Sequence, residues 1–154
     1  MSHQTAALRI AHLAHAVAGE KDYVIDQLTR KTYPVQYQDL LLTDTGQSTI
    51  YIPEGVTCIA AKLTPIISAA QHDTNYVTVN VGYDNGAAGG WTSLQSITSK
   101  ITGGVAHVAG TAIALASIGP LVSIAGGKHF GMLITKAGAG ILVAYNLTLD
   151  CRLT

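Results

Sequence analysis

Side chains able to do chemistry are few in this chain, and they are scattered. The histidines offer one close pair, His12 and His15, three residues apart in a segment with helical spacing. Two imidazoles on one helical face can reach a common metal. A zinc site takes three or four ligands, however, and His3, His72, His107 and His129 stand at no ligand spacing. No metal or cofactor is expected. Gly126-Gly127-Lys128 looks like the close of a phosphate-binding loop. That motif needs a glycine five positions before its last glycine and a Ser or Thr after the lysine. Val122 and His129 stand there instead. Gly138-Ala139-Gly140 lacks the third glycine of a dinucleotide fingerprint and opens a strand-like run, not a helix. No serine sits in a G-x-S-x-G elbow. The only glutamates are Glu20 and Glu54, and Asp73 and Asp84 fall at loop tips without an acid partner. Cys58 and Cys151 lie in strand-like runs and read as buried, reduced thiols rather than as nucleophiles. The chain is therefore not expected to be an enzyme. One loop remains as a candidate ligand site. Asp84, Asn85 and Trp91 bracket residues 84–90, with Tyr76 and Tyr83 nearby. An aromatic face beside a carboxylate and an amide suits a sugar, although a tryptophan at a strand start also reads as core.

The background to these residues is short of charge. Of 154 residues, 9 are basic and 9 acidic, which gives no net charge. Charged residues make up 12% of the chain, against about 25% in ordinary soluble domains. Hydrophobic residues are 48%, too many for intrinsic disorder. With no basic excess, nucleic acid is not an expected partner. A compact monomer of this size exposes on the order of 7,400 Å², so charges are spaced at roughly one per 400 Å². That approaches the largest apolar patch usual on a soluble monomer. Such a surface predicts covering by other chains, as a homo-oligomer (dimer or trimer) or in a larger assembly. Residues 103–127 carry no Asp, Glu, Lys or Arg, but they are rich in glycine, broken by Pro120 and without an aromatic belt. They do not read as a membrane span. No signal-peptide pattern opens the chain, so synthesis in the cytoplasm and reduced cysteines are expected.

The elements follow from periodicity. Residues 3–18 read as a helix, with Ser2 as N-cap and Gly19 as its stop. Ile10, Leu13, Ala14 and Val17 recur at helical spacing. A lone helix of this length is marginal in water, so its Leu8, Ile10, Leu13 and Val17 face is expected at an interface. Residues 20–44 hold eight of the charges, with Tyr23, Tyr33 and Tyr37 interleaved. They read as an extended arm with one or two short strands. From residue 47 the period becomes two. Strands are expected at about 49–52, 56–64, 77–83, 91–97, 111–117, 121–125, 129–135 and 141–153, separated by glycine-rich turns. No strand–helix alternation supports an α/β fold. Two units follow: a helix and arm over 1–46, and an antiparallel β-sandwich over 47–154. The last run alternates for about fourteen residues, against five or six in a usual strand. At about 3.3 Å per residue it is some 46 Å long, so it must bend, switch sheets or pair with a neighbouring chain. Leu149 and Leu153 are accordingly expected at a subunit interface.

The turn Ile52-Pro53-Glu54-Gly55 and the closing runs Ala137-Gly138-Ala139-Gly140 and Ala144-Tyr145-Asn146-Leu147-Thr148-Leu149 resemble the jelly-roll virion proteins of tailed bacteriophages. The nearest class is the small capsid decoration, or cement, proteins. The resemblance covers residues 47–154 in texture, and the arm in general layout. It implies a jelly-roll fold, no active site, binding to the major capsid protein, and a place on the capsid exterior. The alternative is a receptor- or glycan-binding jelly roll of a phage fibre or spike. That role would use the 84–90 loop with Trp91.

Overall fold

Among the described residues, alternation of period two is realised as nine strands and no helix. The computed structural model describes residues 30–39, 45–85, 90–118, 122–138 and 141–154. The strands are β1 Arg30–Asp39, β2 Thr45–Ile52, β3 Val56–Pro65, β4 Tyr76–Asp84, β5 Trp91–Thr98, β6 Ile113–Ala114, β7 Ser123–Ile124, β8 Lys128–Ala137 and β9 Val143–Leu153. They form two antiparallel sheets. One runs β1-β9-β3-β6, with β7 also on β3, and the other runs β2-β8-β4-β5. The chain is thus mainly β. The pairings nest: first strand with last, second with next to last, third with the short pair β6 and β7, fourth with fifth.

The apolar side of each strand enters one shared core. Val77, Val79 and Val81 of β4 and Phe130, Met132 and Ile134 of β8 come from one sheet. Tyr145, Leu147, Leu149 and Cys151 of β9 and Val56, Cys58 and Leu63 of β3 come from the other. Strand β3 needs a correction of phase to do this. Its inward residues are Val56 and Cys58, then Ala61, Leu63 and Pro65, so the parity changes midway. A bulge between Cys58 and Ala60 inserts one unpaired residue and keeps the apolar side inward on both halves.

Three sequence expectations change here. The sheet begins earlier than residue 47, because β1 comes from the segment read as an arm. Val35 and Tyr37 of β1 are buried core residues, and the Tyr37 hydroxyl end occupies the space where a side chain on Gly46 would go. The long last strand does not project. It lies between β1 and β3 in the centre of its sheet, and the bulge that fits it sits in its partner. The expected strands at 111–117 and 121–125 shrink to the two-residue β6 and β7. Gly119-Pro120 stands between them, and proline supplies no ladder N–H. The predicted N-terminal helix, with Leu8, Ile10, Leu13 and Val17, lies outside the described residues.

Candidate functional site

Strand directions gather the β3–β4, β5–β6 and β8–β9 connections at one end of the two sheets. Hydrogen bonds tie the first two together. Ala69 and His107 exchange both backbone bonds, at 2.8 and 3.0 Å. His72 N–H donates to the Ser99 carbonyl at 3.1 Å and Gly110 N–H to the Pro65 carbonyl at 2.8 Å. Gln71 Nε2 donates to the Gly104 carbonyl at 2.9 Å, and Ala109 N–H to Ser68 Oγ at 2.9 Å. Beside them, Ile66 N–H donates to the carbonyl of Ala144, at the start of β9, at 2.7 Å. His72 turns its ring back on its own loop, where Nδ1 accepts from the Thr74 and Asn75 N–H groups at 3.1 Å each. Loops so cross-tied hold their side chains in fixed positions.

Those loops expose aliphatic side chains among polar ones such as Gln71, Asp73 and Thr102. The described residues include six exposed large hydrophobics, and five of them are here: Ile66, Ile101, Val105, Val108 and Leu142, each 44–55% exposed. An open hollow of about 300 Å³ lies beside them, lined by Ile67, Ala69, His72, Asn75, Ile141 and Leu142 among others. Covering the exposed half of such side chains yields about 1 kcal/mol each. Lys100 is near but occupied, its Nζ 5.4 Å from the Tyr76 ring centre.

The opposite end is polar and aromatic. Tyr51, His129, Asp84 and Trp91 are successive register partners across all four strands of the β2-β8-β4-β5 sheet. Their neighbours Ile52, Phe130 and Tyr83 pack on the core, so the row lies on the outer face. The Tyr51 and His129 rings are 5.2 Å apart. The structure therefore brings together Asp84, Asn85 and Trp91, the predicted ligand loop. Asn85 is used as scaffold. Its N–H donates to the Gly90 carbonyl at 3.2 Å, its Nδ2 to Thr92 Oγ1 at 2.7 Å, and its Oδ1 accepts from Lys128 Nζ at 3.0 Å. Trp91 is half-buried and outside the core cluster, with its Nε1 buried and unpaired. Among the described residues no three His, Cys, Asp or Glu side chains converge as a metal site would require.

Of the interface residues expected on the last strand, Leu149 needs correction. Leu149 has no exposure and is part of the chain's own core, so it offers no surface to a second chain. Leu153 is half-buried against the same core. The reason is the central place of β9, which strand length alone does not reveal. The apolar end was legible only in the uncharged run that follows Lys100; Ile66 and Leu142 come to it from distant segments, and no local signal marks them. Tyr51 and His129 join Asp84 and Trp91 through register, which a single sequence does not encode. No protein-family model matches this sequence, and comparison with curated proteins finds no relative.

Proposed function

We propose that this chain is a structural virion protein, a decoration protein that binds and stabilises a phage capsid lattice from outside. The fold in this reading is a jelly-roll sandwich. Its support is the nested order, β1 with β9, β2 with β8, β3 with β6 and β7, β4 with β5, which is what two interlocked Greek keys produce. The observation that carries the function is the apolar end. Four exposed aliphatic side chains on cross-tied loops, with Leu142 on the connection beside them, form a preorganised patch suited to another protein surface. The partner is the major capsid protein, and the chain acts as a dimer or trimer. Binding only the assembled lattice adds RT ln(1 + [L]/Kd) per site, about 2.7 kcal/mol at a hundredfold excess over Kd. No catalysis, nucleic acid or membrane enters this role.

The test is co-sedimentation with assembled shells of the cognate capsid protein, beside the unassembled subunit. The chain should pellet with shells, and Ile66→Asp combined with Leu142→Asp should remain in the supernatant. Undiminished pelleting of the double variant, or no pelleting of the parent chain, would overturn the reading.

A second reading has its own observation. The row Tyr51, His129, Asp84 and Trp91 sets aromatic rings beside a carboxylate, as a receptor- or glycan-binding module of a fibre or spike would require. Trp91→Ala should then abolish binding to immobilised glycans while leaving co-sedimentation unaltered.

A further inference from the structure

We propose that Cys58 and Cys151 are a cross-strand pair that closes reversibly to an intrachain disulfide when the folded chain meets a disulfide oxidant. The proposal stands apart from the capsid reading. Both cysteines are free thiols in the structure, and they are direct register partners in the β3–β9 ladder. Cys58 N–H donates to the Val122 carbonyl at 2.8 Å, on the far side of β3 from Cys151. Successive N–H and C=O groups of a strand residue share one side, so Cys58 faces Cys151 in the narrow, non-hydrogen-bonded type of pair. Such pairs hold their Cα atoms about 4.5 Å apart, inside the roughly 4.4–6.8 Å that a disulfide spans. Both side chains point into the core, with 1% and 0% exposure. The neighbouring Cys58 thiol and burial hold the Cys151 thiol well above its ordinary range. The pair is inert in the closed fold and reacts on local opening.

The geometry also supplies the opening. Two rungs, Thr57 with Arg152 and Val56 with Leu153, lie outside the pair in this ladder, closed at the end by Thr154 N–H donating to the Gly55 carbonyl at 3.0 Å. Arg152 is exposed and Leu153 half-buried. Local opening of a few outer rungs takes far less free energy than global unfolding, and it bares Cys151 to solvent. The chemistry balances as thiol–disulfide exchange. The Cys151 thiolate attacks one sulfur of an oxidised glutathione molecule and expels one glutathione thiolate. Cys58, as thiolate, then attacks the Cys151 sulfur of the mixed disulfide and expels the second. Two electrons pass from the cysteine pair to the glutathione disulfide, and the two thiol protons leave with the released glutathione or the buffer.

The experiment is equilibration of the full chain in glutathione buffers from reducing to oxidising, folded and in guanidinium chloride. Quenching by alkylation and intact mass follow. The expected folded product is lighter by two hydrogens, carries no glutathione, and yields one peptide linking Cys58 to Cys151. Register alignment should make its formation at least tenfold more favourable than in the unfolded chain, where a loop of about 90 residues must close by chance. The oxidised form should also melt on the order of 10 °C higher. A folded chain that stays dithiol where the unfolded chain oxidises would overturn the proposal. So would stable glutathione adducts or interchain dimers in place of the internal link. Cys58→Ala serves as the control and should show neither the mass loss nor the melting shift.

Discussion

His107 Nδ1 and the Tyr145 hydroxyl lie 2.7 Å apart inside the protein, with no exposure on either residue. The rings meet edge to face at 5.7 Å. This contact fastens the β5–β6 connection to the central strand β9. Because His107 also bridges Ala69, it fixes both loops that present Ile66, Val105 and Val108. Tyr145→Phe keeps the packing and deletes the hydroxyl, leaving His107 Nδ1 buried without its partner. A buried group stripped of its hydrogen bond costs about 1–3 kcal/mol. Urea denaturation should show a loss of that size with the native circular dichroism retained, and a loss below about 0.5 kcal/mol would mean the contact does not hold the loops.

The same pair predicts a pH dependence. Burial holds His107 below the ordinary imidazole value. The unfolded chain takes up this proton near pH 6.5, whereas the folded chain takes it up only at lower pH. The stability tied to neutral His107 is therefore whole above about pH 6.5 and is lost as pH falls from there through the folded value. His107→Gln removes that loss. Urea midpoints at about pH 7.5 and about pH 5.5 provide the comparison, because the other titrating groups are common to both proteins. The parent chain should lose more stability than the variant between the two conditions; equal losses would contradict the assignment.

Much of this fold was legible in local pattern, and its limits have physical causes. Val77, Val79 and Val81 alternate with polar residues and lie inward as period two requires. The turns at Pro53-Glu54-Gly55 and Asp84-Asn85 fall where proline, glycine and the Asx side chain place them. The phase change of β3 was hidden, since Ile59, Ala60 and Ala61 are all apolar enough to face either way. The position of β9 was hidden too, because its length fits an edge and a central strand alike. For the candidate site, Asp84, Asn85 and Trp91 were legible as neighbours in sequence. Tyr51, His129, Ile66 and Leu142 depended on non-local pairing, which residue types do not specify.

The central place of β9 separates two leucines that look alike in sequence. Leu149 is fully buried, whereas Leu142 is 44% exposed. Leu149→Ala should cost about 2–5 kcal/mol through the cavity it leaves, and Leu149→Lys should yield unfolded or insoluble protein. Leu142→Lys should change stability by less than about 0.5 kcal/mol while weakening co-sedimentation with assembled shells. Circular dichroism and light scattering of both variants, with co-sedimentation of Leu142→Lys, distinguish the two. A folded, soluble Leu149→Lys protein with altered mass would restore the interface role for that residue.

Gly82 and Gly131 are register partners in the middle of the four-stranded sheet, and each meets a neighbouring backbone. A Cβ on Gly82 would collide with the Thr92 carbonyl oxygen of β5, and one on Gly131 with the Ser48 carbonyl oxygen of β2. Backbone held in a ladder cannot step aside as a flexible side chain would. Gly131→Ala should therefore destabilise by about 1–3 kcal/mol or more. Gly103 is the control. Its φ is +79° with open space where a Cβ would go, so Gly103→Ala meets only left-handed backbone strain of about 1–2 kcal/mol. Urea midpoints should rank Gly131→Ala below Gly103→Ala. The reverse order would show that the sheet relaxes around the added methyl.

The boundary between arm and sheet gives the last expectation. Strand β1 starts at Arg30, and residues Lys31–Thr154 form one compact unit. Tyr33 packs against the core and Val35 and Tyr37 lie within it, so β1 covers one side of β9 and satisfies its ladder. A chain starting at residue 30 should keep the native circular dichroism and a cooperative urea transition. A chain starting at residue 47, where period-two alternation first becomes plain, lacks all of β1 and the first two residues of β2. It loses three core side chains and exposes the hydrogen-bonding edge of β9, which invites strand addition from other molecules. Burial of those side chains contributes about 1.5–3 kcal/mol each, comparable to the whole stability of a small domain. The shorter chain should therefore aggregate or lose cooperativity. Size-exclusion chromatography and urea titration of both chains decide the matter: a monomeric, cooperatively unfolding 47–154 chain would show that β1 is an accessory to the sheet and not part of it.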